Sequence, residues 1–256
     1  MMKQFRLHAE IEGSGPVVVM LHGYLASSRY YKKLAPRLAR DHTVIRLDLL
    51  GHGRSPKPRH SDYGYADQLA AIHHTLTTLH VGRPFALVGH SMGTLLALRY
   101  AQTHPDDVSR LVLFNPPMFS SPEEAHDDIA ATGRHYRAFL FSRFRRSIWR
   151  TIKLLPRSPR RVRPAVSLSD ILAVPHQARD GSLRNVVMRG NVFEEVALID
   201  KPILVTVGQR DRRIYIKNAM RHTWPAHVTL KVNEYGHNGM ASHPELAEKY
   251  VRLLAD

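Results

Sequence analysis

Apolar residues along the 256-residue chain gather in short runs, and each early run stops at turn-forming residues. Residues 17–21 end in His22-Gly23, residues 43–47 in Asp48 and Gly51-His52-Gly53, residues 85–88 in Gly89, and residues 111–114 in Asn115-Pro116-Pro117. Runs of this length, rich in β-branched residues and bounded by turns, predict buried parallel strands. Between them the period changes. Tyr30, Leu34 and Leu38 recur at helical spacing, as do Leu69, Ile72, Leu76 and Leu79 before Val81-Gly82. Such alternation predicts βαβ units: an α/β fold with a mostly parallel central sheet and helices on both faces.

The alternation lapses between Met118 and Asp200. It resumes with a strand at 203–207, a helix near 215–223, a strand at 227–232 and a final helix. That helix carries a capping-box pattern, with Ser242 as N-cap, Pro244 in the first turn and Glu245 three residues on. The expected division is therefore a core of residues 1–117 and 200–256, with 118–199 inserted into it.

Bulk properties narrow the class. The hydrophobic fraction is 43% and the charged fraction 23%, so a folded globular chain is expected. No run of about 18 apolar residues suggests a membrane span, and residues 1–10 lack the apolar stretch of a secretory leader. A cytoplasmic location is the expectation. The absence of cysteine excludes thiol catalysis, disulfides and cysteine–zinc sites.

One pentapeptide carries the chemistry. Gly89-His90-Ser91-Met92-Gly93 fits G-x-S-x-G, directly after the strand at 85–88 and directly before a helical run containing Leu95, Leu96, Leu98 and Tyr100. This is the context in which a serine is held on a sharp strand-to-helix turn. The flanking glycines let the two elements approach, and the helix N-terminus points backbone N–H groups at developing negative charge. An acid and a base are then needed. Asp211 follows the strand at 203–207, at the end of the sheet where active groups gather, whereas Asp200 lies at the opposite end. Seventeen histidines make any one of them uninformative by count. His237 stands apart because it follows the strand at 227–232. His222, inside a helix, and His243, in the first turn of another, are expected to face solvent.

These motifs resemble the α/β-hydrolase superfamily. Leu21-His22-Gly23-Tyr24 is similar to the family's His-Gly turn, and Asp48-Leu49-Leu50-Gly51-His52-Gly53-Arg54-Ser55 to its Asp-x-x-Gly-His-Gly-x-Ser loop, with Leu50 where proline is usual. The order Ser91, Asp211, His237 is the family's order. The resemblance covers roughly 15–117 and 200–256. It implies a serine esterase, a carboxylic ester hydrolase acting on a small-molecule acyl substrate, with Ser91 as nucleophile, Asp211 as acid and His237 as base. The backbone N–H groups of Tyr24 and Met92 would form the oxyanion hole. No metal or organic cofactor is required. Asp48, His52, Arg54 and Ser55 are expected to stabilise a loop. The same machinery also serves C–C bond hydrolases, acyltransferases, lyases and perhydrolases, and a non-catalytic ligand-binding member is a further alternative.

The net charge of +15 is concentrated. Residues 134–163 hold eleven Lys/Arg and no acid, leaving 26 basic against 22 acidic residues elsewhere. Tyr136, Leu140, Phe144, Ile148 and Ile152 form an i, i+4 ladder among these cations, the pattern of a basic amphipathic helix. By resemblance it would cap the active site, with Tyr136, Leu140, Phe144 and Arg145 contacting substrate. The plain reading is a solvated arginine face. The others are an anionic acyl substrate and weak contact with an anionic membrane surface. Specific nucleic-acid binding is not expected, since no recognition module is visible. The sequence leaves the oligomeric state open.

Overall fold

Val18 and Met20 point to one side of their strand and Val19 and Leu21 to the other, yet all four are fully buried. A strand apolar on both faces must be covered on both, and the fold supplies a layer of helices on each. The computed structural model describes residues 4–131 and 166–255. Its strands are β1 Ala9–Glu12, β2 Val17–Leu21, β3 Thr43–Leu47, β4 Phe85–His90, β5 Val108–Phe114, β6 Ile203–Gly208 and β7 Val228–Asn233. Its helices are α1 Ala35–Leu38, α2 Tyr65–Thr78, α3 Met92–Thr103, α4 Pro122–Ala131, α5 Leu168–Ala173, α6 His176–Ser182, α7 Val192–Ala197, α8 Arg213–Arg221, α9 Gly239–Ser242 and α10 Pro244–Ala255.

The strands form one sheet in the order β1-β3-β2-β4-β5-β6-β7. Every neighbouring pair is parallel except β1 against β3. The chain leaves β2 for β3 on one side and reappears at β4 on the other. The loops after β2 and β4 thus diverge to opposite faces and open a crevice at the strands' carboxyl ends, where α/β sheets hold ligands. One face packs Val18 and Met20 with Leu34, Leu38 and α10's Val251. The other packs Val19 and Leu21 with Ile72 of α2, Leu95 of α3 and Ala219 of α8. Val186, Val192 and Val196, from the stretch where alternation lapses, join this second cluster.

Three local expectations are corrected. The helix read from Tyr30, Leu34 and Leu38 is broken into a 3₁₀ turn, Ser28–Tyr31, and α1. Pro36 has no N–H to continue a ladder from the turn, so a new helix starts beside it. The same three side chains are still buried. The capping box does not form. Ser242 ends α9, and its hydroxyl donates to the Gly239 carbonyl at 2.9 Å. The His243 carbonyl instead accepts the first bonds of α10, from Leu246 and Ala247. His222 and His243 do not point freely into solvent: His222 packs against Phe193 with ring centroids 4.4 Å apart, and His243 stacks on Tyr235 at 3.5 Å. The arginine-rich ladder, including Tyr136, Leu140, Phe144 and Arg145, lies outside the described residues. No described helix is long and apolar enough to cross a membrane.

Asp48 ties two loops at the rim. Its carboxylate accepts from the Ser28 backbone N–H at 2.6 Å and the Arg54 N–H at 2.7 Å, and it is 1% exposed. Burial pushes its pKa up, but the Arg54 and Ser28 amides outweigh that and leave it lowered. A carboxylate with a lowered folded-state pKa contributes stability above its unfolded value near 3.9, and that stability is lost as pH falls through the folded value. Asp48→Ala is expected to cost about 2–4 kcal/mol in urea unfolding at neutral pH, because two buried amides lose their acceptor. The difference from wild type should shrink as pH falls below about 4. Equal stability at pH 7 would contradict this role.

Candidate active site

The turn after β4 is built around glycine. Ser91 has φ 50° and ψ −121°, a left-handed backbone that costs an L-residue on the order of 1–3 kcal/mol and persists only where its surroundings impose it. They do so here. The Ser91 N–H donates to the Phe114 carbonyl of β5 at 3.0 Å, and the Ser91 carbonyl accepts from Thr94 N–H at 2.9 Å in the first turn of α3. A Cβ on Gly93 would lie 2.2 Å from the Leu21 carbonyl oxygen, and one on Gly89 would lie 2.6 Å from the Gly93 carbonyl oxygen. Only glycine lets α3 pass this close to the end of β2 and β4.

The turn after β2 lies against this elbow. A Cβ on Gly23 would fall 3.1 Å from Ser91 Cβ and 2.8 Å from His90 Nδ1. His22 holds the turn. Its Nε2 accepts from the Leu49 N–H at 3.0 Å, so its hydrogen sits on Nδ1 and is donated to the Gly23 carbonyl at 2.8 Å. Burial lowers the His22 pKa, more than Asp48 raises it, which keeps the ring neutral. Tyr24 continues the turn, and its hydroxyl donates to the Arg179 carbonyl of α6 at 3.2 Å.

Three residues distant in sequence meet over the elbow. His237 Nε2 is 2.9 Å from Ser91 Oγ, and His237 Nδ1 is 2.9 and 3.1 Å from the two Asp211 carboxylate oxygens. A carboxylate only accepts, so the hydrogen lies on Nδ1 and the Nε2 lone pair faces the Ser91 hydroxyl. The Asp211 side chain is 1% exposed. Burial pushes its pKa up, but the bond to His237, the Arg212 N–H at 2.6 Å and the Asn115 amide outweigh it, leaving Asp211 lowered and ionised.

Two positioning groups escaped the sequence reading. Asn115, read there only as a turn residue, donates through Nδ2 to Asp211 Oδ2 at 2.9 Å. It too has a left-handed backbone, φ 49°, at the end of β5. Its place directly after a strand was the available signal. His90 stacks on Tyr30 with centroids 4.1 Å apart and planes 17° off parallel, and its Nε2 donates to the His237 backbone carbonyl at 2.9 Å. Burial, and then the neighbouring His237, push its pKa down to about 3, so it is a neutral clamp between the β4 elbow and the loop bearing His237.

The alpha/beta hydrolase fold family matches residues 16–244, running through the stretch in which the sequence shows no motif. The chain belongs to this family. An Arabidopsis thaliana protein named probable lysophospholipase BODYGUARD 1 is 36% identical over 111 residues, 41% of this chain and 24% of that protein. A Shewanella oneidensis protein named cis-3-alkyl-4-alkyloxetan-2-one decarboxylase is 37% identical over 123 residues, 46% of this chain and 38% of that protein. The matched stretch is thus well under half the length of these curated relatives. Among solved structures, an esterase from Exiguobacterium antarcticum superposes with a TM-score of 0.71 at 23% identity, covering 99% of this chain and 98% of its own. At that identity the likeness is one of fold.

Gly93→Ala tests the elbow's packing. Its new methyl would meet backbone oxygens that no rotamer change can move. We expect loss of soluble expression, or a fall in Tm of 10 °C or more, roughly what a cost above 4 kcal/mol implies for a domain this size. A Tm within about 2 °C of wild type would show that the turn is looser than described.

Proposed function

We propose that the protein is a serine hydrolase that cleaves a carboxylic ester, or a similar acyl bond, through an acyl-enzyme on Ser91. The observation that carries this reading is the unbroken hydrogen-bonded row Asp211–His237–Ser91, with the imidazole tautomer that leaves Nε2 free to accept a proton. The elbow geometry, the family and the names of its relatives support it.

In this reading His237 Nε2 takes the Ser91 proton as Oγ attacks the carbonyl carbon. Asp211, ionised and fixed by Asn115, stabilises the imidazolium. The tetrahedral oxyanion would be held by the backbone N–H groups of Met92, at the N-terminus of α3, and Tyr24, on the turn pressed against the elbow. His237 then protonates the leaving alcohol, and water, activated by the same base, releases the acid. The surroundings suit an apolar acyl group: the Tyr215 ring lies 6.3 Å from that of His237, and Phe119 packs edge-on to Tyr215 at 5.1 Å. No metal or organic cofactor is needed for these steps. A cap over residues 118–199, with Tyr136, Leu140, Phe144 and Arg145 against the substrate, belongs to the same proposal.

A panel of p-nitrophenyl esters of increasing acyl length tests the reading. Ser91→Ala should lower kcat by about 10⁴-fold or more while leaving the unfolding transition intact, and Asp211→Asn, which reverses the tautomer, by about 10⁴-fold. Ser91→Ala activity within tenfold of wild type would overturn the assignment. Turnover of no ester by wild type, with Ser91 intact, would move the chemistry to another reaction of the fold, such as the decarboxylation named for the Shewanella relative.

A further inference from the structure

A cavity of about 690 Å³ adjoins the proposed catalytic centre, and His237 itself is among its lining residues. Arg29, Lys32 and Lys33 line one side and Arg210 another, while the 236–239 turn forms part of the wall. No aspartate or glutamate lines it. Two acids adjoin the lining in sequence: Asp211, whose carboxylate is buried against His237, and Glu234, which is exposed and is not among the lining residues.

Many arginines of the fold are held by carboxylates. Arg37 and Arg40 pair with Glu248, Arg46 with Glu10 and Glu12, Arg99 with Glu195, and Arg252 with Asp41. Among the described residues, Arg29, Lys32, Lys33 and Arg210 form no ion pair. Residues 132–165 contain no acid that could supply one. Clustering four like charges around one concavity is unfavourable unless an opposite charge visits it. A second, independent feature lies in the same wall. Tyr30 lines the cavity and is 4% exposed; its hydroxyl oxygen lies by the Ala241 backbone N–H, but its hydrogen has no acceptor. A buried hydroxyl hydrogen without an acceptor calls for one that arrives with a ligand. Asn238 and Ser242 complete a polar wall.

We propose that this cavity binds an anionic group, a phosphate or carboxylate, held by Arg29, Lys32, Lys33 and Arg210, with the Tyr30 hydroxyl as donor. Charge-assisted bonds from guanidinium and ammonium groups fit such an oxyanion. The site communicates with the proposed catalytic centre by contact. Tyr30 stacks on His90, and His90 holds the His237 carbonyl. An anion here therefore acts on the loop that carries the base. It comes either from the charged end of a substrate or from a free anion.

The probe is inorganic phosphate at fixed ionic strength, titrated calorimetrically into wild type, a Lys32→Gln/Lys33→Gln/Arg210→Gln variant and Ser91→Ala. Saturable binding to wild type and to Ser91→Ala is expected, with Kd on the order of 1 mM or tighter. In the triple variant it should be weaker by at least about tenfold, as the loss of even one charge-assisted bond implies. Because Ser91→Ala reads binding without turnover, failure of the hydrolase reading and failure of this site are separable. A Tyr30→Phe variant keeps the ring stack and should weaken phosphate binding without lowering Tm in the absence of phosphate. Where wild type turns over esters, phosphate that competes only with a carboxylate-bearing ester identifies the substrate as the source. Phosphate that alters the rate on a neutral ester identifies a free anion. No saturable binding, or equal binding by the triple variant, as the arginine-rich residues 134–163 would give, overturns the proposal.

Discussion

The fold turns on one unfavourable backbone conformation. Ser91 is held left-handed between β4 and α3, and what imposes it is close packing that only glycine permits at positions 89 and 93. From that point the rest follows geometrically. The Ser91 amide is anchored to β5, α3 starts immediately beyond, and its first N–H groups face the crevice opened where the chain reverses direction across the sheet. Relaxing the turn would move the hydroxyl off the end of the sheet and away from His237. The strain is paid by the two apolar layers, which bury both faces of β2 and β4 almost completely.

Around this turn the structure separates neutral from charged groups by burial. His22 and His90 are buried with pKa lowered and act as fixed donors: one shapes the turn next to Ser91, the other clamps the loop bearing His237. Asp211 is equally hidden but stays ionised, because two backbone or amide donors and an imidazole outweigh the cost of burial. Desolvation therefore pushes different side chains to opposite outcomes according to whether they have partners for their charge. The result is a hydroxyl, an imidazole of defined tautomer and a carboxylate in line, set by hydrogen bonds from residues outside that row.

How much of this is legible in the sequence depends on how local the cause is. The elbow is written in five consecutive residues with a strand before and a helix after, so Ser91 is readable. Asp211 and His237 are readable because each follows a strand whose apolar run is continuous. The roles of Asn115 and His90 are not, since they depend on side-chain directions across strands more than 90 residues apart in one case and on a ring stack with Tyr30 in the other. The edge strand β1 is four residues long and only partly buried, too brief for period-2 patterning to stand out. In residues 166–199 two helices are six residues long, and α6 runs directly into a π-helix at Leu183–Val187, so 3.6-residue periodicity is either too short or shifted out of step. Ser242 shows the opposite failure: a strong local capping signal loses because the preceding turn closes into a helix that claims the same hydroxyl.

The proposed nucleophile, Ser91, depends on His237 and Asp211 for its reactivity. Reaction with a fluorophosphonate, followed by peptide mass spectrometry, tests this without knowledge of the substrate. A single adduct is expected on the peptide containing Ser91, formed at least about 10³-fold more slowly in His237→Ala of unchanged Tm. No adduct on Ser91, or labelling at the same rate without His237, would contradict it.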